Sequence, residues 1–194
     1  MRPIGMHNEL YKEYKNELPL NTIKVWNKVL LENLDWQHTG WSGDMKEPFR
    51  HWASYPSFEG DVKKIWEAIS PSLVEDGWNL KVDRVIANLF NHGDSSWLHK
   101  DCDKETSWTV IVYLNDFWDP NWHGGTAIVE NNDVSAYFHP TPGKFIIFRS
   151  NLLHGATPVS REAAFPRFGL TFQTHDHNVQ RLSQIEVSSV PAKL

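Results

Sequence analysis

Cysteine is almost missing from this chain: Cys102 is the only one in 194 residues. That excludes an intrachain disulfide and fits a reducing compartment. Long apolar runs are missing too, so no stretch reaches membrane-spanning length. The opening MRPIGMHNELYKEYKN lacks the apolar core of a secretory leader, and a cytoplasmic location is the expectation. Basic clusters are also absent. Asp and Glu outnumber Lys and Arg 24 to 19, giving a formal charge of −5, so neither a nucleic acid nor an anionic membrane is expected as a partner. The sequence also carries no internal repeat, no low-complexity tract and no signal for an oligomeric state.

What remains is a globular composition, 40% hydrophobic and 22% charged, which suits one domain over residues 1–194. Residues 21–34, NTIKVWNKVLLENL, space Ile23, Trp26, Val29 and Leu30 as one face of a helix. A second helix is expected from Asp61, as its cap, with Val62, Ile65, Ile69 and Leu73 on its inner face and Pro71 kinking or ending it. Residues 35–60 read as irregular. From residue 79 the texture changes to short strands: LKVDRVIANLF, SWTVIVYL, TAIVE, GKFIIFRS and PRFGLTFQT. No helical period interrupts them, which predicts an antiparallel sandwich or barrel with the helices packed outside. The division is an N-terminal helical part to about residue 78 and a β core over about 79–180.

Two strands have sharply divided faces. Phe168, Leu170 and Phe172 alternate with Arg167, Gly169, Thr171 and Gln173; Trp108, Val110, Val112 and Leu114 alternate with Thr109, Ile111 and Tyr113. One face of each is greasy and the other small or polar, as a ligand cavity or an exposed face would require. Trp36, Trp41, Trp52 and Trp66, four of the ten tryptophans, fall within residues 36–66. Core filling is the simplest use for them. The segment GWSGDMKEPFRHW at 40–52 also has the composition of a recognition loop over a cavity mouth, with Asp44, Arg50 and His51 as polar contacts and Trp41 or Trp52 as an apolar wall.

The chemistry concentrates in NHGDSSWLHKDCD at 91–103, which holds His-x-Asp twice: His92/Asp94 and His99/Asp101. Two histidines and one carboxylate on one face of a metal make a non-haem iron site with open positions. A distant third ligand is available in His154, within NLLHGATPV, a turn-like segment after a strand. By itself each His-x-Asp pair is a frequent chance pattern. His175 and His177 read as part of a solvated loop.

Taken together, HKD at 99–101, TVIVYLNDFWD at 109–119, Gly124-Gly125, PGKFIIFRSNLLHG at 142–155 and RFGLTFQ at 167–173 resemble the iron(II)/2-oxoglutarate-dependent oxygenases, and in particular their prolyl-hydroxylase-like branch. The match covers about half the chain and leaves the helical first third outside. The resemblance implies a double-stranded β-helix, or jelly-roll, packed against the N-terminal helices. It also implies hydroxylation of a C–H bond with release of succinate and CO2, with Fe(II) and 2-oxoglutarate required and ascorbate as a supporting reductant. It selects between the two pairs: His99 stands 14 residues before Tyr113, near the family's separation, whereas His92 stands 21 before it. The turn formers around His92 and Gly93 agree. Carried over, His99, Asp101 and His154 are the iron ligands and catalytic centre. Arg167 anchors the distal carboxylate of 2-oxoglutarate, assisted by Tyr113, with Arg161 as runner-up. Asp101 keeps the carboxylate that halogenating relatives lack.

Two positions depart from the pattern: Phe90 stands where many relatives carry tyrosine, and Thr126 follows Gly124-Gly125 where an acidic residue is usual. RFGLTFQTHD lacks the second arginine of the nucleic-acid-demethylating branch. The substrate expected from the resemblance is a peptide side chain or a small polar metabolite. Two other readings compete: a non-catalytic jelly-roll binding sugar through stacked tryptophans, and a cupin-like metal enzyme that needs no arginine anchor. His99→Ala is predicted to abolish iron binding and turnover, while His92→Ala retains most of both. Metal analysis and oxygen consumption on the two variants decide the point, and reversed effects would move the ligand pair to 92 and 94.

Overall fold

The computed structural model describes residues 10–39 and 50–177. In chain order these residues form β1 (Tyr11–Tyr14), α1 (Leu20–Asn33), β2 (Gln37–Thr39), β3 (His51–Ser54), α2 (Gly60–Glu75), β4 (Leu80–Phe90), β5 (Ser107–Tyr113), β6 (Thr126–Glu130), β7 (Asp133–Phe138), β8 (Phe145–Arg149), β9 (Leu153–Ala156) and β10 (Arg167–Asp176). The strands make two antiparallel sheets, one ordered β1-β8-β5-β10-β4-β3-β2 and the other β7-β6-β9. This is the expected jelly-roll with helices on its outside. No helix among the described residues is long and apolar enough to cross a membrane.

The alternation seen in the sequence decides the layers. Trp108, Val110 and Val112 of β5, Leu114 just after it, and Phe168, Leu170 and Phe172 of β10 turn to one side of the large sheet. There they meet Ile23, Trp26 and Leu30 of α1 and Val62, Ile65, Ile69 and Leu73 of α2. Trp36 and Trp66 close the edge of this core, their rings 5.7 Å from Phe168 and 5.1 Å from Phe172, so both are packing residues. On the other face, Ile111 and Tyr113 of β5 and Ile146 and Phe148 of β8 pack onto Ile128 and Phe138 of the small sheet. Toward β10, β4 and β3 that face carries Thr171, Gln173 and Asn88 instead, and the sheets enclose a cavity of about 1000 Å³.

Several expectations need correction. Residues 35–60 are not wholly irregular: β2 and β3 extend the large sheet, with Trp52 opposite Leu89 and Ser54 opposite Ala87. Strands of three and four residues are too short to display alternation, and it is the free edge of β4 that recruits them. β1 likewise pairs with β8, so the N-terminal part is not purely helical. Residues 40–49 of the suggested recognition loop, with Trp41 and Asp44, lie outside the described residues.

Asp61 is not the cap of α2. That position belongs to Glu59, and Asp61 sits in the first turn, 2.9 Å from Lys64. Nor does Pro71 end the helix, which runs on to Glu75. Pro71 and Glu67 both face solvent, so water can satisfy the carbonyl that Pro71 leaves without a donor. Continuing the helix also buries Leu73. The strand β7 escaped notice because its signal is the turn before it: Asn131 and Asn132 both take positive φ, 52° and 65°. That is the two-residue hairpin geometry that asparagine tolerates.

Ile65 has no exposed surface and sits at the centre of the helix–sheet core. Ile65→Ala is expected to lower unfolding free energy by about 2–5 kcal/mol, read as a lower urea midpoint at unchanged slope. A loss under about 1 kcal/mol would mean that the helices contribute little to stability.

Candidate active site

His99 and His154 reach one another through the backbone. His99 N–H donates to the His154 carbonyl and His154 N–H to the His99 carbonyl, both at 2.9 Å. The segment before His99 thus lies along β9 on the side away from β6. Gly155 permits this approach, because a Cβ there would stand 2.9 Å from the Ser96 carbonyl oxygen and 3.1 Å from that of Trp97. His154 itself is in β9, not in a turn. Asp101 is fixed next to the pair: its N–H donates to Ser150 O at 2.9 Å, and the Thr109 hydroxyl donates to its Oδ2 at 2.7 Å.

The donor atoms are prepared for a cation. His99 Nδ1 lies 2.8 Å from the Trp97 carbonyl and His154 Nδ1 lies 2.9 Å from that of Leu152. Each carbonyl holds a proton on Nδ1 and leaves the Nε2 lone pair free to bind, as metal-ligating histidines require. The two Nε2 atoms then face Asp101, at 3.6 Å from Oδ1 for His99 and 3.5 Å from Oδ2 for His154. All three ligand atoms fall within 4.8 Å of one another. With metal–donor bonds of about 2 Å, neighbouring octahedral donors stand about 3 Å apart, so small rotations complete the set. Burial pushes the Asp101 carboxyl up, but His99, the charge of His154 and the Thr109 hydroxyl outweigh it and hold it at about 2. Burial lowers His154 against the opposing pull of Asp101. Both groups are therefore in their metal-binding form at neutral pH.

The same cavity contains a buried arginine. Arg167 opens β10, is 3% exposed, and faces no carboxylate among the described residues. Its Nε has no hydrogen-bond partner, Nη2 reaches Thr126 Oγ1 at 3.4 Å, and the Tyr113 hydroxyl interacts with the guanidinium. Its guanidinium carbon lies over two rings, Phe90 at 4.9 Å and Tyr113 at 5.2 Å. The Tyr113 hydroxyl donates to Thr126 Oγ1 at 2.9 Å, and burial raises its pKa, so it keeps its proton. A buried cation with unmet donors fits an anionic ligand, and a planar guanidinium fits a carboxylate in particular.

The other candidates lie elsewhere. His92 sits in a turn, its Nδ1 3.4 Å from Val159 O, with Gly93 at φ +78° and the Asp94 carboxylate accepting from Asn91 N–H. Arg161 is exposed on a turn. His175 belongs to β10 rather than to a solvated loop, with Nδ1 2.8 Å from Asp83. Arg50 is exposed and pairs through its backbone with Ser95. Trp52 packs on His38 and is not among the cavity-lining residues, whereas His51 is. Sequence reading missed Thr109, Thr126 and Asn88 as site residues. The strand alternation already placed Thr109 on the cavity face, but nothing marked it as the partner of Asp101.

Residues 84–175 match the family model of the 2OG-Fe(II) oxygenase superfamily. The chain carries a 2OG-Fe(II) oxygenase domain. Enzymes of this superfamily use Fe(II) and 2-oxoglutarate, and the donor set and the buried arginine both suit that pair. The fold is similar to a prolyl-4-hydroxylase of Pseudomonas putida, at 16% identity and TM-score 0.63, covering 88% of this chain and 94% of that one. A prolyl hydroxylase of Trichoplax adhaerens, solved with a hypoxia inducible factor oxygen degradation domain peptide fragment, gives 14% identity and TM-score 0.69 over 91% and 88%. HygX of Streptomyces hygroscopicus, solved with nickel and 2-oxoglutarate, gives 12% and 0.60 over 87% and 83%. At these identities the likeness concerns the fold. No curated protein matches the chain by sequence.

His51 supplies a pH test of the cavity wall. Its ring stacks on Phe90 at 4.5 Å, and its Nε2 is 3.1 Å from Asn88 Oδ1. Burial lowers its pKa to about 4, against the Asn88 contact and with the help of the Arg167 charge. The folded state therefore keeps the ring neutral, while the unfolded chain protonates it near about 6.5. This contribution to stability is complete above that pH and is lost as pH falls toward 4. Between pH 7 and 5 the wild type is expected to lose about 2 kcal/mol more than His51→Gln. Equal losses in denaturant titrations would mean that His51 is protonated in the folded state.

Proposed function

We propose that this enzyme hydroxylates a C–H bond of a small polar molecule or a peptide side chain, consuming 2-oxoglutarate and dioxygen and releasing succinate and CO2. His99, Asp101 and His154 would hold the iron, and Arg167, with Tyr113 and Thr126, would hold the distal carboxylate of 2-oxoglutarate. The observation that carries this reading is the coincidence, in one cavity, of a preorganised His-Asp-His set and a buried arginine without a counter-charge. A sugar-binding module has no use for either, and a metal enzyme without 2-oxoglutarate has no use for the arginine.

When bound, the iron supplies with 2-oxoglutarate and dioxygen the oxidising power that converts a C–H to a C–OH bond. The protein's own share is positional. The Trp97 and Leu152 carbonyls fix which ring nitrogen of each histidine is free to bind. Thr109 orients Asp101 so that one carboxylate oxygen is held by a hydrogen bond. Phe90 and Tyr113 lie against the guanidinium of Arg167 and shield it from water. The Tyr113 proton is available to a carboxylate oxygen if the hydroxyl turns from Thr126. The complex of the Trichoplax adhaerens relative with a peptide fragment supports a peptide substrate. The cavity, at the upper end of the small-molecule range of about 300–1000 Å³, supports a small one.

Anaerobic titration of the protein with Fe(II) and then 2-oxoglutarate should produce a weak visible charge-transfer band. Arg167→Ala should weaken 2-oxoglutarate binding roughly 30-fold or more, with iron affinity nearly unchanged and Arg161→Ala close to wild type. A larger defect in Arg161→Ala would transfer the anchoring role, and absence of the band in wild type would remove the proposal.

A further inference from the structure

From the outer half of the same cavity we infer a second anion site, built on Arg84, that selects a small substrate carrying a carboxylate; this rests on the function proposed above. Arg84, Ile86, Asn88 and Phe90 share the cavity face of β4, while Val85 and Ala87 face the helices. The Arg84 guanidinium lies over the Tyr55 ring at 5.0 Å, and among the described residues it has no ion pair or hydrogen bond. Gln173, its neighbour across the β10 ladder, also lines the cavity, and its amide has no partner among the described residues.

Charge balance identifies what is missing. With the proposed co-substrate in place, the two positive charges of Fe(II) offset those of 2-oxoglutarate, and Asp101 offsets Arg167. On the rim, Lys100 stands 3.9 Å from Asp103. Arg84 is then the one arginine, lysine or acid among the described cavity residues without an opposite. The overall charge of −5 makes this unlike the rest of the surface. A tyrosine-backed guanidinium beside a free amide provides a planar set of donors, which suits a carboxylate.

The sheet register sets the size. Arg84 pairs with Gln173 and Gln173 with Thr109, whose hydroxyl holds Asp101. Neighbouring strands are about 4.8 Å apart, so the Arg84 and Thr109 backbones stand about 10 Å apart in one row. Arg84 can therefore meet a carboxylate only a few bonds from a carbon presented to the metal. That describes a small acid more closely than a side chain in a long peptide.

The test uses Fe(II)- and 2-oxoglutarate-loaded enzyme without oxygen. Free L-amino acids and linear monocarboxylates are titrated against it by calorimetry, each beside its carboxamide. At least one free acid is expected to bind and to shift the visible band, with its carboxamide about tenfold weaker or worse. Arg84→Gln, which keeps a stem to cover Tyr55, should weaken that acid about tenfold or more; Arg84→Lys should recover part of the loss. Carboxamides bound as tightly as acids, no acid bound at all, acid binding unaffected in Arg84→Gln, or preferential binding of an end-blocked peptide would each overturn the inference. The band itself separates the two claims. If wild type lacks it, the proposed function fails; if it is present but indifferent to Arg84, only the acid site fails.

Discussion

The site depends on one pair of backbone hydrogen bonds, those exchanged between His99 and His154. Fifty-five positions separate these histidines in sequence, yet their rings stand 4.4 Å apart between centroids. The backbone holds them there. The segment that ends at His99 adds itself to the edge of β9, and the absence of a side chain at Gly155 lets it come close enough. Once those bonds form, Asp101 is carried to the end of β8, where Ser150 O and Thr109 take hold of it. The three candidate donors are thus placed by sheet geometry and then oriented by hydrogen bonds, which is the economical order. Strands fix Cα positions, and the carbonyls of Trp97 and Leu152 need only select a tautomer.

Arg167 is the converse case, a residue placed at the expense of stability. Two aromatic faces return about 0.5–2 kcal/mol each, less than the several kcal/mol that burying an unpaired charge costs. The Thr126 contact at 3.4 Å adds little. Without an anion the arrangement is uncompensated, and an anion that enters recovers the difference as binding energy. The departures from the family pattern bear on this same spot. Phe90, where a tyrosine is usual, gives Arg167 and His51 a purely apolar ring between β3 and β10. Thr126, where an acid is usual, leaves Arg167 without a carboxylate that would compete with the ligand.

Much of this was legible in the sequence because period-two alternation records which side of a strand is buried. The split faces of β5 and β10 separated the greasy side, which is the core, from a polar side that was left open between cavity and exposed face, and the separation of His99 from Tyr113, read through the family resemblance, chose the pair that the structure brings to His154. What escaped was information carried by pairing rather than by pattern. β2, β3 and β9 are three or four residues long and exist because a neighbouring edge offers them hydrogen bonds. Thr109 was set on the less apolar face, but that it holds Asp101 follows from a contact between residues eight positions apart. Pro71 misled because a helix stop was inferred from the lost donor alone, without knowing that the freed carbonyl faces water.

Core and site are coupled most tightly in β10, which pairs with β4 and β5 along most of its length. Sliding it by one residue would turn Phe168, Leu170 and Phe172 into the cavity and Arg167, Thr171 and Gln173 into the core. The hydrophobic cost of that exchange, about 1.5–3 kcal/mol for each aromatic or leucine side chain moved, fixes the register more firmly than any polar contact in the cavity could. The cavity-facing residues therefore inherit their positions from residues that never touch a ligand. Gly169 and Thr171, between the arginine and the ladder row of Thr109, are small. A Cβ on Gly169 would also meet the Val112 carbonyl at 2.9 Å. The strand keeps this stretch open because its opposite face leaves it no freedom to move.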